Sequence, residues 1–228
     1  MSRDRLIALQ EALAAQVVIP ASTEPAVQAG DWVCTMDIQY EGDIGYVAAD
    51  LMRWEDEPDM IAVKAYSVTE PYVPGFFAFR EGPLLMQLLQ DIQAQLDLSP
   101  TLLIIDGHGI AHPRKLGLAS WVGVKSGIAS IGVAKDSLLP YTGKLGLDAG
   151  NHLSILLDTQ AVGIALRTQD DIKPVFVSPG HLISLSQAAN LVFQLRGPYR
   201  QIEPIRRADH AARRFAKGDI LPIVRVLD

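Results

Sequence analysis

A chain of 228 residues with 49% hydrophobic content holds enough apolar material for a substantial core, and its length fits a single domain spanning residues 1–228. One cysteine, Cys34, excludes an intrachain disulfide and suits a reducing compartment. The formal charge of −6 argues against indiscriminate nucleic-acid binding, and no run of 18 apolar residues offers a membrane helix.

Read from the N-terminus, residues 3–17 have the pattern of an amphipathic helix and lack the apolar core of a signal peptide. A cytoplasmic protein with no membrane partner is expected, with a monomer as the default. Residues 32–40, 45–54 and 60–68 read as three strands of a β-meander, joined by turns rich in Gly, Asp and Pro. The acidic turn Glu55–Asp59 between the last two is expected to be exposed. Residues 81–96 carry a helical stripe of Leu84, Leu85, Leu88, Leu89 and Ile92. There follow a buried strand (101–105), a helix (113–126), a strand (129–134), a hairpin-like pair (152–158 and 161–168), a strand (173–178) and two helices (184–195 and 204–217). This order predicts an α/β fold: a mixed sheet, with a three-stranded antiparallel meander plus parallel strands, flanked by helices.

The stretch Thr101–Gly117 carries the strongest functional signal. Four apolar residues run out of a core and end on Asp106; Gly107 and Gly109 bracket a turn, and His108, His112, Arg114 and Lys115 follow. A charge at the mouth of a buried strand is costly unless something binds it. Asp37 likewise interrupts an apolar strand, and Glu81 stands at the start of the long helix. Parallel strands would bring Asp37 near Asp106, and the helix start could place Glu81 beside both. Alone, Asp37 or Glu81 reads more readily as a capping or ion-paired carboxylate; with Asp106, the three form an all-oxygen set suited to Mg²⁺ or Mn²⁺ rather than zinc. Such ions assist in-line attack on phosphate. Between Arg196 and Lys217, seven basic residues face only Glu203 and Asp209, which reads equally as a phosphate-binding stripe or a solvated helix face. His108, His152 and His210 read as structural; His181, at an expected strand-to-helix turn, suits a phosphate contact or a helix cap.

The segments Pro71–Glu81, Asp106–Gly117, Ile131–Lys135, Val177–His181 and Glu203–Asp209 together resemble the endonuclease V (deoxyinosine 3′-endonuclease) family, in the family's order and across nearly the whole chain. The resemblance implies an RNase H-like fold and cleavage at the second phosphodiester bond 3′ to hypoxanthine, with Mg²⁺ as cofactor. The products would be a 3′-hydroxyl and a 5′-phosphate. By position, Asp37, Glu81 and Asp106 match the metal-binding carboxylates and Asp209 a fourth acidic position. Lys135 and His112 match positions near the scissile phosphate, with His112 as general base or phosphate ligand. Tyr72 matches a wedge tyrosine in a Pro-Tyr-x-Pro-Gly loop, stiffened by Pro71 and Pro74 and turned by Gly75; packing on Phe76 or Phe77 is its plainer reading. Backbone groups around Gly75, Gly107 and Gly109 are expected to read the lesion, with Arg80 among the DNA-contacting residues. The implied partner is deoxyinosine-containing DNA, single- or double-stranded; inosine-containing RNA and a non-cleaving lesion-binding module are the alternatives. Cys34-Thr35 and Gln39 stand where the family has small residues.

Overall fold

The computed structural model describes residues 2–56, 58–71, 73–219 and 224–227. Tyr72 and Glu57 therefore lie outside the described residues, so the wedge reading and the centre of the acidic turn go without a structural account. The elements are α1 (Arg3–Ala14), β1 (Trp32–Glu41), β2 (Ile44–Arg53), β3 (Pro58–Ser67), α2 (Phe77–Leu96), β4 (Leu102–Asp106), α3 (Leu118–Ser126), β5 (Ala129–Ala134), β6 (His152–Leu157), β7 (Gln160–Leu166), β8 (Val175–His181), α4 (Leu185–Gln194), α5 (Glu203–Ala216) and β9 (Val224–Val226). Among the described residues the strands form one sheet in the order β6-β7-β8-β5-β4-β1-β2-β3-β9.

The meander β1–β2–β3 is antiparallel; β1, β4 and β5 are parallel, and β6, β7 and β8 return antiparallel. Central β4 is apolar from Leu102 to Ile105 because both of its faces are covered. Alternation along β1 divides the molecule into layers. Cys34, Met36 and Ile38 point into a core with Leu84, Leu85 and Leu88 of α2 and with α3. Val33 points the other way, with Leu102, Ile104, Ile131 and Val133, towards α4 and Ile205 of α5. Ala208, Ala211 and Ala212 of α5 lie on Ala48, Ile61 and Val63, small residues that let the helix approach β2 and β3 closely.

Four element boundaries differ from those read in the sequence. Helix α1 stops at Ala14 rather than residue 17. Helix α2 starts at Phe77 and runs through Pro83, so Glu81 sits in its second turn rather than at its start. Directly after Glu81, Gly82 lets the Trp121 ring of α3 lie against the α2 backbone, where a Cβ would overlap that ring. Helix α3 begins at Leu118 instead of 113: residues 107–117 fold as turns, with Lys115 at φ 52° and Gly117 bonding back to Gly109. Strand β8 extends through Pro179 to His181, and the register of β5 and β8 shifts between Ser130 and Ile131 beside that proline. His181 is thus a buried strand residue whose Nδ1 accepts from the Val18 N–H at 3.1 Å, in place of the helix cap or phosphate contact. β9 pairs parallel with β3 and has no counterpart in the pattern reading. Among the described residues no helix is long and apolar enough to cross a membrane.

Candidate active site

Strand register creates the site. β1 and β4 pair with Met36 opposite Ile105, so one step further along brings Asp37 beside Asp106. Both side chains point to the α5 face by alternation, sharing it with Val33 and Ile104. α5 crosses that face and brings Asp209, whose Oδ1 accepts from Gln39 Nε2 at 2.9 Å, two residues beyond Asp37 on the same side of β1. Glu81 arrives from α2, in the opposite layer, next to Tyr40.

Asp37 feels the charges of Asp106 and Asp209, and Glu81 those of Asp37 and Asp106. Burial, then Asp106, pushes the Asp37 carboxyl up to about 8, with Asp209 adding to it. Glu81 is pushed to about 8, chiefly by burial and then by Asp37 and Asp106, while Tyr40 and Arg80 favour its charged form. Asp106 is raised by burial and held back by Lys135, whose Nζ stands 3.3 Å from its Oδ2. Asp37 Oδ2 is buried and has no hydrogen-bond partner.

Lys135 therefore joins the cluster, while His112 does not. His112 lines a neighbouring cavity of about 300 Å³ together with Gln10, Gly75, Phe77, Gly107 and His108. The cavity adjoins the carboxylates: Gly107 follows Asp106, and Phe77 and Ala78 begin the helix that carries Glu81. Burial, then Arg114, pushes His112 down to about 4; burial likewise takes His108 to about 4. Burial thus favours the neutral form of both imidazoles. His108, read in the sequence as structural, lies in the cavity wall.

The glycines divide. Gly75 (φ 83°) and Gly107 line the cavity, whereas Gly109 is buried elsewhere, its Cα against the Pro179 carbonyl so closely that a Cβ would overlap it. The backbone groups expected to read a base are also engaged within the protein. The Gly107 N–H donates to Val133 O, the Gly109 N–H to Ser178 Oγ, and Gly75 O accepts from Arg114. Pro74 is exposed in the turn before α2, and Arg80 lies 4.8 Å over the Tyr40 ring.

The basic tract of α5 is not a free cationic stripe. Arg207 makes two bonds to Asp50 of β2, Nε to Oδ2 at 2.5 Å and Nη2 to Oδ1 at 2.9 Å. Arg213 Nε binds Asp209, Arg214 pairs with Asp219, and Arg206 stacks 3.4 Å over Tyr199 beside Glu203. Arg200 donates to the carbonyls of Pro174 and Lys135. Asp50 was invisible as a site residue in the sequence; its only signal was a charge inside an apolar strand, the same signal that marked Asp37. At the family's small-residue positions, Cys34 is buried, its thiol pushed up first by that burial and then by Asp50, and Thr35 Oγ1 is buried without a partner.

Comparison with known proteins identifies the family and the fold. The family model described as Endonuclease V matches residues 11–210. Endonuclease V of Nocardia farcinica is 42% identical over 221 residues, covering 94% of each chain. The crystal structure of Endonuclease V from Streptomyces avermitilis superposes with a TM-score of 0.82 at 36% identity, covering 95% of this chain and 94% of that one. Endonuclease V of Ciona intestinalis, in complex with a 24mer DNA containing an inosine followed by a ribo-adenosine, gives a TM-score of 0.82 at 26% identity, covering 94% of this chain and 98% of that one. The mixed sheet flanked by helices is the RNase H-like nuclease fold of these neighbours. With its family-model match and its relatives spanning nearly the full length, this chain belongs to the Endonuclease V family.

Proposed function

We propose that this protein is a DNA repair endonuclease that nicks a strand at the second phosphodiester bond 3′ to deoxyinosine, by Mg²⁺-dependent hydrolysis leaving a 3′-hydroxyl and a 5′-phosphate. One observation carries the reading. In a member of the Endonuclease V family, carboxylates from four elements far apart in the chain converge next to a cavity with room for a base.

Asp37, Glu81, Asp106 and Asp209 would hold the cation. Their donors are all oxygen, the set a hard divalent ion prefers, and the bare Oδ2 of Asp37 has no other partner. Among the described residues no three such side chains stand close enough together to hold a metal ion, and the reading is supported by the all-oxygen donor chemistry and by the mutual charge of Asp37, Glu81 and Asp106. When bound, the ion supplies Lewis acidity and polarised water for in-line displacement; Mn²⁺ can serve in the same all-oxygen site. The chain's own residues do the rest. Lys135, beside Asp106 and partly exposed, offers positive charge to a phosphate oxygen in the transition state. Gln39 and Arg213 fix the rotamer of Asp209. His112 and His108, both neutral, present imidazole edges to a base in the cavity and leave proton transfer to the carboxylate side.

The ribo-adenosine that follows the inosine in the Ciona complex favours one second reading, inosine-containing RNA as substrate. A single assay addresses both. End-labelled duplexes with one deoxyinosine, and matched oligoribonucleotides with one inosine, are incubated with Mg²⁺ and with EDTA, and the cut is mapped to the nucleotide. Cleavage of the DNA between the first and second nucleotides 3′ to the lesion, abolished by EDTA, is expected; cleavage of the RNA alone would move the assignment to the second reading.

A further inference from the structure

Gln10 is a polar side chain only 1% exposed, on a helix remote in sequence from every carboxylate of the site. Burying an amide is unfavourable unless its donors and acceptor are satisfied, and here they are. Its Nε2 donates to Leu116 O at 2.9 Å and to Gly75 O at 3.4 Å, and its Oε1 accepts from Arg114 Nε at 2.5 Å. Arg114 in turn donates through Nη2 to Gly75 O at 2.7 Å and lies 4.7 Å over the Phe76 ring, and its backbone N–H donates to His112 Nδ1 at 3.2 Å. Two side chains thus join three segments: α1, the turn at 73–76 and the loop at 106–117.

The junction lies on the cavity wall. Gln10, Gly75 and His112 all line the cavity, and Arg114 reaches each of them. The turn at Gly75 (φ 83°) is closed by the Phe76 N–H donating to Val73 O, and it is tied to the 106–117 loop by the Arg114 guanidinium and by the His112 ring at the Gly75 backbone. A leucine at position 10 would complete the apolar face of α1 at lower cost, so the amide's place is explained by the links it makes.

We propose that Gln10 and Arg114 are positioning residues, a latch that holds the 73–76 turn against the 106–117 loop and so sets the mouth of the cavity for a purine base. This inference rests on the endonuclease reading above. The latch acts on selectivity: with the turn released, the cavity wall loses the fixed shape that distinguishes one base from another. The forked guanidinium is needed because it serves Gln10 and Gly75 at once, which a lysine ammonium on a flexible stem does not reproduce.

The test compares Gln10→Leu, Arg114→Lys and the double variant with the wild type. kcat and KM are measured on strands carrying deoxyinosine or deoxyadenosine at one position, and the Mg²⁺-induced rise in unfolding temperature monitors the carboxylate cluster. Each single variant is expected to lower the deoxyinosine preference about tenfold, chiefly through KM, the size of one lost charge-assisted hydrogen bond. The double variant should lose no more than the worse single one, because both act through one junction. The Mg²⁺-induced rise should survive in all three. Arg114→Lys, at a partly exposed position, carries the test if Gln10→Leu fails to fold. Unchanged preference in Arg114→Lys, or losses that multiply in the double variant, overturn the latch alone. A wild type that nicks neither strand overturns the endonuclease reading and the latch with it.

Discussion

Asp37 and Asp106, 69 positions apart in the chain, stand side by side because parallel strands β1 and β4 are paired with Met36 opposite Ile105, one step before each. Asp37 has one oxygen with no partner, and burial with the Asp106 charge holds its carboxyl near 8. Asp37→Asn and Asp106→Asn should each lower nicking at least about a hundredfold, since even residues that only support a metal ligand cost that much. Asp37→Asn should also raise the unfolding temperature of the metal-free protein at pH 8, because it removes an uncompensated buried charge. Calorimetry in EDTA checks this; a lower unfolding temperature would count against the crowding of carboxylates.

Asp37 and Glu81 are both raised, from 3.8 and 4.5 to about 8. Between those values the folded state binds more protons than the unfolded one, so stability falls as pH rises through that window, and the full penalty is reached above about 8. Thermal unfolding in EDTA should therefore shift down from pH 5 to pH 8. Mg²⁺ should reverse most of the shift, since cation binding displaces those protons. Parallel pH profiles with and without Mg²⁺ would contradict the four-carboxylate site.

Arg207 and Asp50 form a bidentate pair in which Asp50 is 0% exposed. Burial raises the Asp50 carboxyl and Arg207 opposes that rise. Arg207→Met should destabilise by about 3–5 kcal/mol, the range for one orphaned partner of a buried pair. Arg206→Met, at a half-exposed side chain, should cost under about 1 kcal/mol. Urea unfolding measures both, and equal effects would remove the anchoring role of Arg207 for α5.

Lys135 lies 3.3 Å from Asp106 with its side chain 47% exposed, free to meet a phosphate. Lys135→Ala should reduce kcat on a deoxyinosine strand by about a hundredfold, comparable to loss of one preorganised transition-state donor. KM should change far less. A change confined to KM would make Lys135 a ground-state contact with the strand.

Much of the layer plan was legible in the residues. The alternation of 32–40 gave β1, the unbroken run Leu102–Ile105 gave a strand covered on both faces, and the stripe from Leu84 to Ile92 gave α2. The first turn of α2 escaped notice because Phe77–Arg80 adds nothing to that stripe and Pro83 resembles a start signal. α3 was read too long because Pro113 and the glycines around it were weighed less than the apolar residues that follow. β9 is three residues long, too short for a pattern. Among the candidate site residues, Asp37 and Asp106 were recognisable as charges in apolar strands, whereas Glu81 was marked by its helix and Asp209 by the family resemblance alone. Gln10 and Asp50 were passed over: an amide in an amphipathic helix and one more acid in a strand carry no mark of their partners.

Seven basic residues between Arg196 and Lys217 show the same limit from the other side. Charge counted along the chain described a cationic stripe, whereas α5 turns Arg207 into the sheet, folds Arg213 onto Asp209 and pairs Arg214 with Asp219. Consecutive residues encode periodicity, turn chemistry and donor type, so element kinds and family could be read without coordinates. Which carboxylate meets which arginine, and which amide seals the cavity, depends on strand register and helix docking between segments a hundred or more residues apart. Those contacts are set by burial of surfaces that no local stretch contains, and only the folded chain brings them together.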